Sequence, residues 1–188
     1  MRFRNTPIDY GAVARTLHWL VVALLIAQFT LGWMGADLPI SLRRLVLLSR
    51  HKSLGATIFM VVILRLCWRL YSPPPALPAD IPRWQRGAAH ASHWLMYALL
   101  LAMPVVGWLS SSASNLTVSW WGLFNWPDLV APDESLAHAL KFVHKVMGWG
   151  LLAAVGIHVS AALWHHFARR DSVLSRMIPW IPKRREQP

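Results

Sequence analysis

The stretch Val143–Phe167, VHKVMGWGLLAAVGIHVSAALWHHF, is long and apolar enough to cross a bilayer, yet it carries His144 and His158. Fourteen residues at about 100° each come to about 1400°, roughly 40° short of four full turns. The two imidazoles therefore share one helix face, about 21 Å apart along its axis. Ionisable groups at membrane depth are costly and turn toward the interior of a bundle. Two of them on one face at that spacing point to two metal centres at different depths.

Three further apolar runs occur, Leu17–Met34, Leu54–Leu70 and Leu95–Leu109, in a chain of 188 residues that is 55% hydrophobic with mean hydropathy +0.38. The outer two of the four runs reach membrane-span length directly, and the inner two do so with their flanks. No alternating pattern of comparable length suggests a barrel. The expected fold is all-α: an integral membrane four-helix bundle forming a single domain over 1–188, with spans near 16–35, 51–71, 90–110 and 141–167. The N-terminal apolar run reads as the first span. No clear small-residue cleavage site follows it, and His18 lies inside it.

Net charge is +11. In a soluble protein that balance would suggest nucleic acid. Here it belongs to membrane flanks, and no nucleic-acid partner is expected. With both termini cytoplasmic, thirteen of the 19 Lys and Arg fall inside and six outside: Arg43, Arg44, Arg50, Lys52, Lys141 and Lys145. That bias satisfies the positive-inside rule. Tryptophans near span ends fit interfacial anchoring. Cys67 is the only cysteine, which excludes an internal disulfide, a cysteine-ligated iron–sulfur cluster and a C-x-x-C-H haem attachment.

Between the spans, Asp9 is expected to cap the first helix, and LRRLVLLS at 42–49 is either an interfacial helix or the start of the second span. Ser72–Pro82 holds five prolines and reads as a stiff inner loop. Pro104 and Gly107 suggest a kink in the third span. The long loop from Ser110 to Lys141 is either a lid on the outer face or a connector resting on headgroups by its tryptophans. Asp133 and Ser135 offer caps for the last helix. The basic tail should lie on the cytoplasmic leaflet.

Depth sorts the histidines. His18 and His158 lie toward the inner side, His51 and His144 toward the outer side. The pairs that match in depth are His18–His158 and His51–His144. Each pair can clamp a planar cofactor between helices, and iron in non-covalent haem b fits best. Structural zinc would want four close ligands with thiolates or carboxylates, which the spans lack. A bis-histidine iron has no open position, which favours outer-sphere electron transfer. HKSLG at 51–55 and HKVMG at 144–148 echo each other, with Gly55 and Gly148 expected to let a haem edge approach. Weaker candidates are His93, as an alternative inner ligand, and His93 or His165 for contacts to a quinone or a propionate. Arg65, Arg69, Lys52 and Lys145 are weaker candidates for propionates.

These residues resemble the prokaryotic cytochrome b561 family. The similar strings are TLHWLVVALL at 16–25, RHKSLG at 50–55, AHASHWLMYALLLAMPVVGW at 89–108 and HKVMGWGLLAAVGIHVSAALWHHFARRDSVLSRM at 144–177. The resemblance implies a bacterial inner-membrane protein with two haem b groups held by His18, His51, His144 and His158. It further implies electron transfer to the quinone pool. The specific expectation is superoxide oxidation at the periplasmic face coupled to ubiquinone reduction. One alternative is an electron-carrier or anchor subunit serving a separate dehydrogenase, hydrogenase or periplasmic cytochrome. A second is a non-redox membrane transporter that uses its histidines. Expected partners are membrane lipid, quinone, and superoxide or a periplasmic redox protein.

Overall fold

The computed structural model describes residues 2–78, 80–178 and 180–181. Its helices are α1 (Ala12–Asp37), α2 (Leu42–Tyr71), α3 (Arg83–Ala113) and α4 (Glu134–Trp164). A short hairpin, β1 (Val118–Trp120) and β2 (Phe124–Trp126), lies between α3 and α4, and a π-helical turn, His165–Arg169, continues α4. All four helices are long and apolar enough to cross a membrane. The shortest, α1 with 26 residues, extends about 39 Å, more than the hydrocarbon core of about 30 Å. Each helix starts before its predicted span; α1 and α3 also run past its end, α2 ends with it at Tyr71, and α4 gives way after Trp164 to the π-helical turn. LRRLVLLS is the start of α2, whose N-cap Ser41 accepts from the Arg44 amide. Asp133 caps α4 by accepting from the Leu136 amide.

Asp9 does not cap α1. The N-cap is Gly11, without a side-chain hydrogen bond. The Asp9 backbone instead closes a turn with Thr6. Pro104 lies inside α3, which continues through it as one helix to Ala113.

Side chains such as Ile26, Leu64, Ile157 and Phe167 stand exposed on the outer faces, as lipid-facing groups must. The buried cluster is small: Val21, Leu54, Ile58, Val62 and Tyr97 join α1, α2 and α3. α1 packs along α2, and α3 along α4, and the two pairs meet through α2 and α3. Among the described residues the α1 and α4 backbones do not approach each other. A slot therefore runs between the two helix pairs. Trp33 of α1 and Trp149 of α4 meet across it, ring centres 6.3 Å apart.

The loop after α3 is a lid pinned to α2. β1 and β2 pair antiparallel, with Val118 opposite Trp126. Trp121 and Gly122 turn the chain at φ +53° and +75°. Ser53 Oγ donates to the Ser119 carbonyl at 2.8 Å and accepts from the Trp121 amide at 3.2 Å. One turn on, Thr57 Oγ1 accepts from the indoles of Trp120 and Trp121, each at 3.1 Å. At the opposite end, the proline-rich loop is tied to the tail. Arg176 Nη1 donates to the Ala76 carbonyl at 2.6 Å, and Arg169 pairs with Asp80 at 2.8 Å.

Candidate functional site

Four histidines project into the slot. His18 of α1 faces His158 of α4, ring centres 6.3 Å apart and planes at 68°. His51 of α2 faces His144 of α4 at 6.2 Å and 76°. The two sites are separated by about 21 Å of rise along α4. A metal bound between two imidazoles at the usual length of about 2 Å holds their ring centres about 6 to 6.5 Å apart. Both pairs fit that distance. His93 of α3 also enters the lower site, 5.4 Å from His158. That is shorter than a ligand pair sharing one metal would be. No group of three or more His, Cys, Asp or Glu able to hold a metal ion occurs among the described residues. The donor set is therefore two histidines per site, which suits a macrocycle that brings four ligands of its own.

The site of His51 and His144 is cut by glycines. A side-chain carbon on Gly32 would stand 3.1 Å from His51 Cε1, and one on Gly107 would stand 3.2 Å from His144 Cε1. Each ring lies in a notch on the neighbouring helix of its own pair. His51 Nδ1 donates to the Gln28 carbonyl at 3.2 Å, so Nε2 carries the lone pair; it accepts from the Gln28 side-chain amide at 3.3 Å, a contact that a metal on Nε2 would replace. His144 Nδ1 is buried near the Met103 carbonyl, without a hydrogen bond of standard geometry. Gln28 and Met103 each precede the notch glycine by four residues, so the two helix pairs repeat one arrangement. Gly55 faces the Gln28 amide at 3.1 Å, and Gly148 has only Met103 near it, at 3.8 Å. The glycines touching the rings are thus Gly32 and Gly107. Sequence reasoning assigned Gly107 to a kink and missed Gly32.

Cations crowd the other site. Arg65 donates from Nη1 to His18 Nδ1 at 2.8 Å and from Nε to the Tyr97 hydroxyl at 3.1 Å. Arg69 lies over the rings of Trp94 and Tyr97 at 5.9 and 5.8 Å. Tyr10, just before α1, joins this group. Burial pushes its hydroxyl above the usual tyrosine value, more than the nearby Arg69, Arg65 and Arg176 lower it. Tyr10 and Arg176 carried no signal in the sequence, because both come from segments outside the spans.

Of the remaining candidates, Lys52 and Lys145 each directly follow a site histidine, and His165 begins the π-helical turn. Lys52 is half-buried and within electrostatic reach of Lys141, while Lys145 is exposed. His165 Nδ1 is engaged by Asp171 at 2.5 Å within the π-helical turn.

A family model described as prokaryotic cytochrome b561 matches residues 9–180. The chain belongs to the prokaryotic cytochrome b561 family. Cytochrome b561 homolog 2 of Escherichia coli K12 is 34% identical over 180 residues, 95% of each chain. A probable superoxide oxidase CybB of Yersinia pestis is 30% identical, covering 90% of this chain and 96% of its own. Cytochrome b561 homolog 1 of Escherichia coli K12 is 32% identical, covering 87% and 93%. Membership of the cytochrome b561 family makes this a multi-pass membrane protein of electron transfer, with haem b as its cofactor.

Proposed function

We propose that this cytochrome holds two haem b groups, one between His18 and His158 and one between His51 and His144. It uses them to pass electrons from superoxide to ubiquinone across the bacterial inner membrane, with both termini cytoplasmic. The observation that carries this reading is the pair of facing imidazoles at two depths, each at a separation suited to a shared iron. His18 with His158, and His51 with His144, would hold the haem iron, and the bound group would supply a one-electron couple suited to outer-sphere transfer.

The chain's own residues supply the rest. Superoxide is an anion and loses one electron to become dioxygen. It needs attraction, not acid–base catalysis. Arg50, Lys52, Lys141 and Lys145 flank the end of the bundle that carries His51 and His144. Asp37, Asp128, Asp133 and Glu134 lie at the same end, but Asp133 is spent on a helix cap and Glu134 sits 3.9 Å from His138. With Arg43 and Arg44, six cations stand at this end against four acids, and Lys52 and Lys145 each adjoin a site histidine, so the field there favours an anion. At the other end, Arg65 and Arg69, with Tyr97 and Tyr10, suit the propionate carboxylates of the inner group. His93, whose ring lies 5.4 Å from that of His158, is the proposed donor to a quinone oxygen. Two electrons and two cytoplasmic protons complete each quinone's reduction to quinol. The name of the Yersinia relative supports superoxide as donor.

The test is a haem count and a reduced-minus-oxidised visible spectrum, followed by mixing with superoxide and ubiquinone. Two low-spin centres per chain are expected, with quinol formed above the haem-free baseline. One centre would overturn the two-site reading. Two centres without quinol formation would overturn the enzymatic one and leave electron carriage for a partner.

A further inference from the structure

A cavity of about 950 Å³ opens at the α1 N-terminus, on the face of that helix turned away from the slot. Arg2, Arg4 and Arg15 line it together with Tyr10, Trp19 and Trp180. Residues 12, 15, 16, 19 and 20 of α1 share its wall, and at about 100° per residue their common direction lies about 130° around the helix from His18. The cavity therefore lies on a different face of α1 from His18, with Tyr10 at the border between it and the arginine cluster beside His18.

Its walls are built. The N-terminal arm crosses the start of α1 so closely that a side-chain carbon on Gly11 would fall 2.3 Å from the Phe3 carbonyl oxygen. Asn5 locks the arm. Its side chain donates to the Ser72 and Pro73 carbonyls at 2.7 and 3.1 Å and accepts from the Gly11 amide at 2.8 Å, and its backbone amide donates to Ser72 Oγ at 3.0 Å. On the far side, Trp19 Nε1 donates to the Met177 carbonyl at 3.2 Å, which holds the tail that carries Trp180. The N-terminal arm and the segment around Met177 are thus fastened around one cavity. Arg15 Nε is buried there without a hydrogen-bond partner. An unmatched buried guanidinium N–H in a wall with two further arginines calls for an acceptor that is anionic. Asp9 is the single acid among the described lining residues. Beside the cations, Leu20 and the two indoles offer apolar surface at the depth where tryptophan meets headgroups.

We infer that this cavity is a binding site for an anionic phospholipid, its phosphate held by Arg2, Arg4 and Arg15 and its acyl chains along Leu20 and Trp19. A quinone head is neutral and would leave three arginines, Arg4 among them stacked 4.5 Å over the Tyr71 ring, with Asp9 as the single acid among the described lining residues. A free phosphate would leave the apolar wall uncovered.

The purified full-length cytochrome, stripped of lipid in detergent, is titrated with phosphatidylglycerol, phosphatidylethanolamine, inorganic phosphate or ubiquinone, and the bound species are read by native mass spectrometry. Phosphatidylglycerol should be retained in preference to phosphatidylethanolamine. Arg15→Gln should weaken it about fivefold, the factor for one basic residue at an anionic headgroup. The Arg2→Gln/Arg4→Gln double variant, in which the α1 fold is untouched, should weaken it more. Arg43→Gln at the opposite end should change nothing. Equal retention of the two lipids would overturn the proposal, as would unaltered binding in both arginine variants. Displacement by inorganic phosphate alone would make it a free-anion site, and displacement by ubiquinone a quinone site. None of these readouts depends on the haem assignment, so the two proposals fail separately.

Discussion

A side chain on Gly107 has nowhere to go but into the His144 ring, and one on Gly32 nowhere but into His51. Gly107→Val should therefore push His144 out of line, at a cost of about 1–3 kcal/mol for overpacking. The expected outcome is loss or broadening of one haem component in the visible spectrum while the component from His18 and His158 persists. An unchanged spectrum with two haems per chain would refute the notch. Of these residues the four histidines were legible in the sequence, because fourteen-residue spacing and depth are one-dimensional quantities. The notch glycines were not. Gly32 and Gly107 lie on α1 and α3, while the rings they admit lie on α2 and α4. Only packing brings them together. Arg65 was legible as a cation near a membrane end. Its hydrogen bond to His18 across 47 positions was not.

Among the elements, the hairpin is the one whose form the sequence left open. Its tryptophans suit both a lid and a loose connector. The deciding residues are Ser53 and Thr57, two hydroxyls one turn apart on α2 that read as ordinary helix positions. Thr57→Val keeps the shape of the side chain and removes the acceptor shared by two indoles. Each lost hydrogen bond should cost about 1 kcal/mol. Hydrogen exchange across 118–126 should quicken in this variant, with α1 to α4 unchanged. Exchange as slow as in the wild type would show that the lid is held by something else. The helices were far more legible, since their length and apolarity follow from the bilayer. Their ends were less so. Asp9 looked like a cap for α1, yet the arm folds back over Gly11 and leaves the Asp9 backbone in a turn with Thr6.

For the molecule as a whole, the charge bias sets an orientation that can be measured. In a Cys67→Ser background, Asp128→Cys should react with a membrane-impermeant maleimide on intact spheroplasts, and Arg83→Cys only after permeabilisation. The reverse pattern would invert the direction of electron flow proposed here. The sequence by itself determined that four helices are long and apolar enough to cross a membrane and that one of them carries two histidines on one face at two depths. Those are consequences of hydropathy and helical period, which are local. The tertiary structure decided how the helices pair. α1 lies with α2 and α3 with α4, and a slot stays open between the pairs because the small apolar core joins α1, α2 and α3 and the pairs meet only through α2 and α3. It also decided that the N-terminal arm and Trp180, remote in sequence, line one basic cavity beside α1. Such features arise from contacts between distant segments, and no periodicity along a chain encodes them.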